Sequence, residues 1–195
     1  MRRKAFWRKT IVLAGLLMTA ACTTETATSP VAEAPVARGH AVRFTAASAG
    51  PVTAETAYSA SSLGALMPQF QIKPIETANE NNTTSALAAF SNGLQVMQFL
   101  RGSNGRVGEV FGVSENIVGP NGERLGMTFR QARVSHGSCR MGGELWTDMA
   151  ICPAPGTRNV FLVFAVPQYR GPLDKLPPPA ELDGAELQRI VWRPA

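Results

Sequence analysis

The run from Asn159 to Val166, Val-Phe-Leu-Val-Phe-Ala-Val ahead of Pro167, narrows the fold of this chain more than any other feature. As the most apolar run of the chain it is expected to be the central strand of a sheet. Shorter strand-like runs surround it. Leu94 to Leu100 and Arg106 to Val113 flank Gly102-Ser103-Asn104-Gly105, and Asn-Gly between two such runs signals a hairpin. Thr84 to Phe90 reads as a strand, although its alanines leave a helix open. Phe70 to Ile75 reads as a short strand with Pro74 at an edge or bend. Glu144 to Cys152 and Leu187 to Trp192 read as later strands, with Gly108 and Gly112 expected at bulges or tight crossings. Turns are expected at Asn79 to Asn82 and at Gly119 to Gly122. Two helices are expected, one over Ala54 to Met67 behind a Thr53 cap and a short one entered through Thr128. Arg170 to Asp183 is expected to be a Pro-rich surface loop. The fold class is therefore α+β: a mainly antiparallel sheet of about five to seven strands with one or two helices packed on a face. An early helix followed by strands argues against a βαβ nucleotide fold.

The first 21 residues are not expected to belong to the fold. Arg2, Arg3, Lys4, Arg8 and Lys9 precede an apolar stretch from Ile11 to Met18, and small residues then lead to Cys22. The apolar stretch is about ten residues, half of what a membrane-spanning helix needs. Leu17-Met18-Thr19-Ala20-Ala21-Cys22 resembles a bacterial lipobox, with Thr19 where Leu is usual. The alternative is an ordinary secretory signal that ends near a cysteine. On the lipobox reading, residues 1–21 are a signal peptide, Cys22 is acylated, and the several chains it carries hold the protein to the membrane. Thr23, where an Asp would favour inner-membrane retention, points to the outer membrane, with the protein facing the periplasm. Residues 22–49, rich in Thr, Ala, Ser, Val and Pro, read as the lipidated N-terminus and a flexible tether. A tether of this length spans about 25–30 Å as a coil. Residues 50–195 are then one globular domain, long enough to bury a core of its own.

The charge balance narrows function. The chain has 19 basic and 14 acidic residues, but five of the basic ones lie before Cys22, leaving 14 against 14. No dense Lys/Arg cluster follows, so nothing supports a nucleic-acid partner, which needs a basic surplus. Cys139 and Cys152 are the pair left once Cys22 is acylated. In an oxidising periplasm they are expected to form a disulfide. A redox or metal pair is the alternative, weakened by the absence of a CxxC spacing and of further ligands.

No catalytic, metal or cofactor site is expected. His40 lies in the tether, and His136 beside Ser135 and Ser138 lacks a nucleophile elbow around it. Glu109, Glu115, Glu123, Glu144 and Asp148 offer carboxylates for glycoside chemistry, but such residues on strand edges and loops are usually only solvated. Gly102-x-x-Gly105 and Gly119-x-x-Gly122 are turn glycines rather than phosphate loops. Trp146, Tyr169, Arg170 and Trp192 are of types enriched at binding hot spots. Of these, Tyr169 and Arg170 are the candidate partner contact, because they follow a buried strand and open an exposed loop.

The hairpin at Asn104-Gly105, the Gly126-x-x-Phe129 loop, the Cys139 and Cys152 pair, Tyr169-Arg170-Gly171-Pro172 and the closing Arg189-Ile190-Val191-Trp192-Arg193 occur in one order. Over about residues 50 to 195 this order resembles the RpoE-regulated lipoprotein family, a domain of unknown function. Members often carry Pro where this chain has Thr128. The resemblance implies an envelope lipoprotein linked to envelope stress and brings no catalytic residues with it. The expected function is a non-enzymatic module, anchored in the membrane by lipid, that binds or supports an envelope protein or the cell wall. The alternatives are an enzyme acting on envelope material, or a periplasmic inhibitor or ligand carrier.

Overall fold

The computed structural model describes residues 41–167 and 169–195, and Cys22, His40 and the signal segment lie outside them. Among the described residues the order is β1 (Val42–Arg43), α1 (Ala60–Leu66), β2 (Gln71–Ala78), β3 (Thr83–Ser91), β4 (Leu94–Arg101), β5 (Val107–Gly112), β6 (Ile117–Val118), α2 (Phe129–Ala132), β7 (Arg140–Met141), β8 (Met149–Pro153), β9 (Val160–Ala165), α3 (Pro179–Leu182) and β10 (Glu186–Trp192). Eight strands form one sheet in the order β2-β3-β4-β5-β10-β9-β8-β7, and β1 and β6 form a separate two-stranded sheet. Every pairing in the large sheet is antiparallel, while β1 pairs with β6 in parallel. The class is α+β and mainly antiparallel, with more strands than the five to seven expected.

The apolar run is β9, and its surroundings explain its composition. It lies between β10 and β8. On one face Val160, Leu162 and Phe164 join the main core; on the other Val163 joins a second, smaller cluster with Ala86, Leu100, Phe111, Trp146, Ile151 and Val191. A strand buried on both faces has no position where a polar residue would be solvated, so alternation is lost. The same holds for Val110 and Phe111 of β5, which face opposite clusters. The main core is covered by α1, α2, α3 and the β1 segment, which contribute Leu63, Phe129, Leu182 and Phe44.

Local chemistry sets the turns. Gly105 has φ +77°, and Gly102 N–H donates to the Arg106 carbonyl at 2.8 Å, closing the expected hairpin between β4 and β5. The bulge lies at Leu100/Arg101, where Gly108 passes so close to Gly102 that a Cβ would sit 2.7 Å from its Cα. Gly112 is a tight crossing, since a Cβ there would lie 2.6 Å from Ile117 Cγ2. Thr128 caps α2 in a reciprocal capping box with Gln131, as its sequence position suggests.

Four expectations are corrected. The first helix begins at Ala60 and not Ala54: the Ser59 hydroxyl accepts from Ser62 N–H, whereas Thr53 and Thr56 close a turn on each other. The first part of the Glu144–Cys152 segment is a 3₁₀ turn, Glu144–Trp146, that lays Trp146 onto the second cluster. The Pro-rich segment ends in α3, which Pro179 opens and whose Leu182 is fully buried. Within Val42 to Ala49, expected in the tether, Val42, Phe44 and Ala49 belong to the core. Val42 N–H donates to Asn116 and Phe44 N–H to Val118, and Phe44 and Ala49 have no exposed surface.

The two ends of the sheet meet. Glu80, at the turn joining β2 to β3, bonds both terminal nitrogens of Arg140 on β7, one of them at 2.8 Å. It also accepts from Gly143 N–H at 3.0 Å, and its own carbonyl accepts from Leu145 N–H at 3.1 Å. The clasp curls the sheet around the second cluster and covers the end beside the two-residue strand β7.

Candidate functional site

Chain direction brings Tyr169 to a cleft. β9 ends at Ala165, and Tyr169 N–H donates back to the Val166 carbonyl at 3.1 Å. The half-buried Tyr169 packs against the main core and folds over Gly171 so closely that any Cβ there would overlap the phenol. Gly171 is therefore a glycine because the ring occupies its side-chain space. Tyr169 walls a cleft of roughly 600 Å³ with Val166, Pro167, Pro177, Glu181 and Glu186. Glu181 and Glu186 are exposed, so the cleft has an apolar wall and an acidic rim. Arg170 is exposed and does not line it. The two residues read together as a partner contact are thus separated, one in the cleft and one outside.

His136 is held rather than free in solvent. Its Nε2 lies 2.8 Å from the Pro177 carbonyl, so that nitrogen carries the proton and donates. The bond ties the Pro-rich segment, and one wall of the cleft, to the turn before Cys139. Cys139 and Cys152 lie at disulfide distance, with sulfurs 2.07 Å apart, and link the segment entering β7 to β8. Trp146 and Trp192 are 2% and 1% exposed, so neither is available for direct contact with a partner.

The carboxylates separate by environment. Glu109 on β5 pairs with Arg193 just beyond β10. Burial pushes its carboxyl above the ordinary range, against the opposing pull of Arg193. Glu80 is held below the ordinary range, chiefly by its bonds to Arg140. Glu123 is 2% exposed, and its oxygens accept from the backbone and side-chain N–H of Asn121 at 2.8 and 3.0 Å, which closes its own turn. Among the described residues no three His, Cys, Asp or Glu groups lie close enough to hold a metal ion.

Reading the sequence missed the cationic side of the second cluster. Arg189 lies 4.8 Å from the centre of the Trp146 ring and 5.8 Å from that of Phe111, and its buried Nε has no hydrogen-bond partner. Burial lowers its pKa. Arg193 lies 4.9 Å from the centre of Phe161. The signal available in the sequence is the alternation Arg189-Ile190-Val191-Trp192-Arg193, in which a strand turns two arginines to the side opposite Ile190 and Trp192. Their partners come from other strands, which no local pattern reveals.

A solved structure shares this fold: the crystal structure of the uncharacterized protein yfeY from Escherichia coli superposes with a TM-score of 0.63 at 17% identity, covering 78% of this chain and 99% of that one. At that identity the likeness concerns the fold alone. No curated protein matches the chain. A family model described as a protein of unknown function, DUF1131, matches residues 29–194, and by that match the chain belongs to the DUF1131 family.

Proposed function

We propose that this protein is a lipid-anchored binding module of the outer membrane, facing the periplasm, that holds another envelope component in the cleft beside Tyr169. The observation that carries the reading is the cleft itself. A half-buried tyrosine, backed by Val166, Pro167 and Pro177, offers an apolar anchor surface with Glu181 and Glu186 at its rim. A rigid aromatic wall with a polar rim is the arrangement that concentrates binding energy at interfaces. The anchor rests on the basic and apolar N-terminal segment ending at Cys22, and the outer-membrane address on Thr23. The resemblance to RpoE-regulated lipoproteins adds that the protein is made in response to envelope stress.

The test is crosslinking in intact cells with a photoreactive residue in place of Gln188, which lines the same cleft and is exposed. One dominant adduct in the outer-membrane fraction is expected, lost on Tyr169→Ala and retained on Arg170→Ala. An adduct unaffected by Tyr169→Ala, or a protein that fractionates as soluble and unacylated, refutes the corresponding half of the proposal.

A further inference from the structure

A second cleft, sharing no lining residue with the first, lies on the face of β8 opposite Cys152. Arg140 follows Cys139, while Ile151 and Pro153 flank Cys152, and Arg140 is paired in register with Ile151. The link ties β7 to β8, while Glu80 and the Met141 carbonyl hold the Arg140 guanidinium at the edge of the cleft. Arg158 stands on the opposite wall, at the end of the turn joining β8 to β9. That turn is held by Thr157, whose N–H and hydroxyl both donate to the Ala154 carbonyl, at 3.0 and 2.9 Å. Ile151, Pro153 and Phe161 form the floor, and the volume is roughly 340 Å³. Arg193, which is not among the lining residues, stacks on the Phe161 ring.

The charges do not balance. Arg140 is engaged by Glu80 and Arg193 by Glu109. The exposed Arg158 has no ion pair or side-chain hydrogen bond among the described residues, so of the two guanidiniums lining the cleft one keeps no carboxylate. An unpaired guanidinium gains most from a planar or tetrahedral oxyanion, which matches its fork of donors. The apolar floor gains from hydrocarbon laid on it. The volume sits at the low end for ligand pockets, which suits a small molecule or one side group and not a polymer face.

We infer that this cleft binds an oxyanion, carboxylate or phosphate, carried on a small apolar body, with Arg158 as the principal contact. The inference is independent of the Tyr169 cleft. The full chain is titrated by calorimetry with phenyl phosphate, with 3-phenylpropionate and with neutral 3-phenylpropanol. At least one anion binds in the millimolar range or tighter, and the alcohol does not. Arg158→Gln weakens that binding about tenfold or more, the scale of a lost charge-assisted hydrogen bond. Arg158→Lys retains part of it, and Arg124→Gln, away from this cleft, leaves it unchanged. Binding of phenyl phosphate alone identifies a phosphate-bearing ligand, and binding of 3-phenylpropionate alone a carboxylate-bearing one. Equal binding of the alcohol, no binding of either anion, or full affinity in Arg158→Gln overturns the inference.

Discussion

Replacing Phe44 with Ala removes a ring with no exposed surface from a segment whose composition reads as tether. The ring belongs to the main core, and the backbone around it is anchored at several points. Phe44 N–H donates to Val118 at 2.8 Å, Gly50 N–H donates to Arg43 at 2.8 Å, and Asn159 Nδ2 donates to the Ala46 carbonyl at 2.8 Å. Full burial of a phenylalanine contributes about 1.5–3 kcal/mol of transfer free energy. The cavity left behind brings typical Phe→Ala losses to about 3–5 kcal/mol. The strand here is only two residues long and lies outside the large sheet, so partial collapse is easy and the lower end, about 3 kcal/mol, is expected. For a chain of this size that corresponds to a fall in Tm of about 6–12 °C. The assay is urea unfolding of the full chain followed by tryptophan fluorescence, for which the buried Trp146 and Trp192 are suitable reporters. Leu94→Ala, at a side chain 74% exposed, serves as the control and should change stability little. A Phe44→Ala loss below about 0.5 kcal/mol at unchanged m-value would refute the assignment of Phe44 to the core.

Glu80→Gln should destabilise the protein at neutral pH by about 1 kcal/mol or less, because Arg140 is half exposed and the pair is screened. A carboxyl with a lowered folded pKa contributes stability that is present above its unfolded pKa and lost as pH falls through the folded value. The stability difference between the unmodified protein and the Glu80→Gln variant should therefore shrink on acidification, and a gap that persists below the folded pKa would disprove the ionic role. Glu109 has the opposite sign: its raised pKa makes its contribution greatest below the unfolded value and lost as pH rises through the folded one, which is read in the same urea series. Removing the Cys139–Cys152 link by double Ser substitution should cost about 3 kcal/mol for a loop of this size in the chain-entropy model. Equal unfolding midpoints for the double variant and the oxidised parent would contradict it.

Much of the fold was legible because its signals are local. Asn104-Gly105 demands a positive φ at the glycine and so marks a hairpin wherever the strands end up. Thr128 and Gln131 satisfy each other's neighbouring backbone within one turn, which makes the short helix α2 readable despite its length. The errors also have local causes. Ala54 to Ser59 contains good helix formers, yet the Ser59 hydroxyl offers the stronger cap, and the residues before it are drawn into a turn and a bridge from Ala57 to Arg106. Leu145 and Trp146 look like strand residues because a 3₁₀ turn that seats one indole on a sheet needs the same apolar side chains a strand would. The candidate site was legible only in part: Tyr169 was visible as an aromatic at a strand end, but its separation from Arg170 depends on Gly171 making room for the ring.

The sequence by itself determined the α+β class, the Asn104-Gly105 hairpin, the apolar strand over Val160 to Ala165 and the pair of cysteines available to each other, because periodicity, turn residues and composition act over a few positions. Only the tertiary structure decided that Phe44 is core, that Glu80 closes one end of the sheet on the other, and which arginines keep a carboxylate. Glu80 and Arg140 are 60 positions apart, and Glu109 and Arg193 are 84. Over such separations the chain carries no local record of its partners. Strand order alone sets which charges meet, and it leaves Arg158 facing a cleft with no carboxylate bound to it.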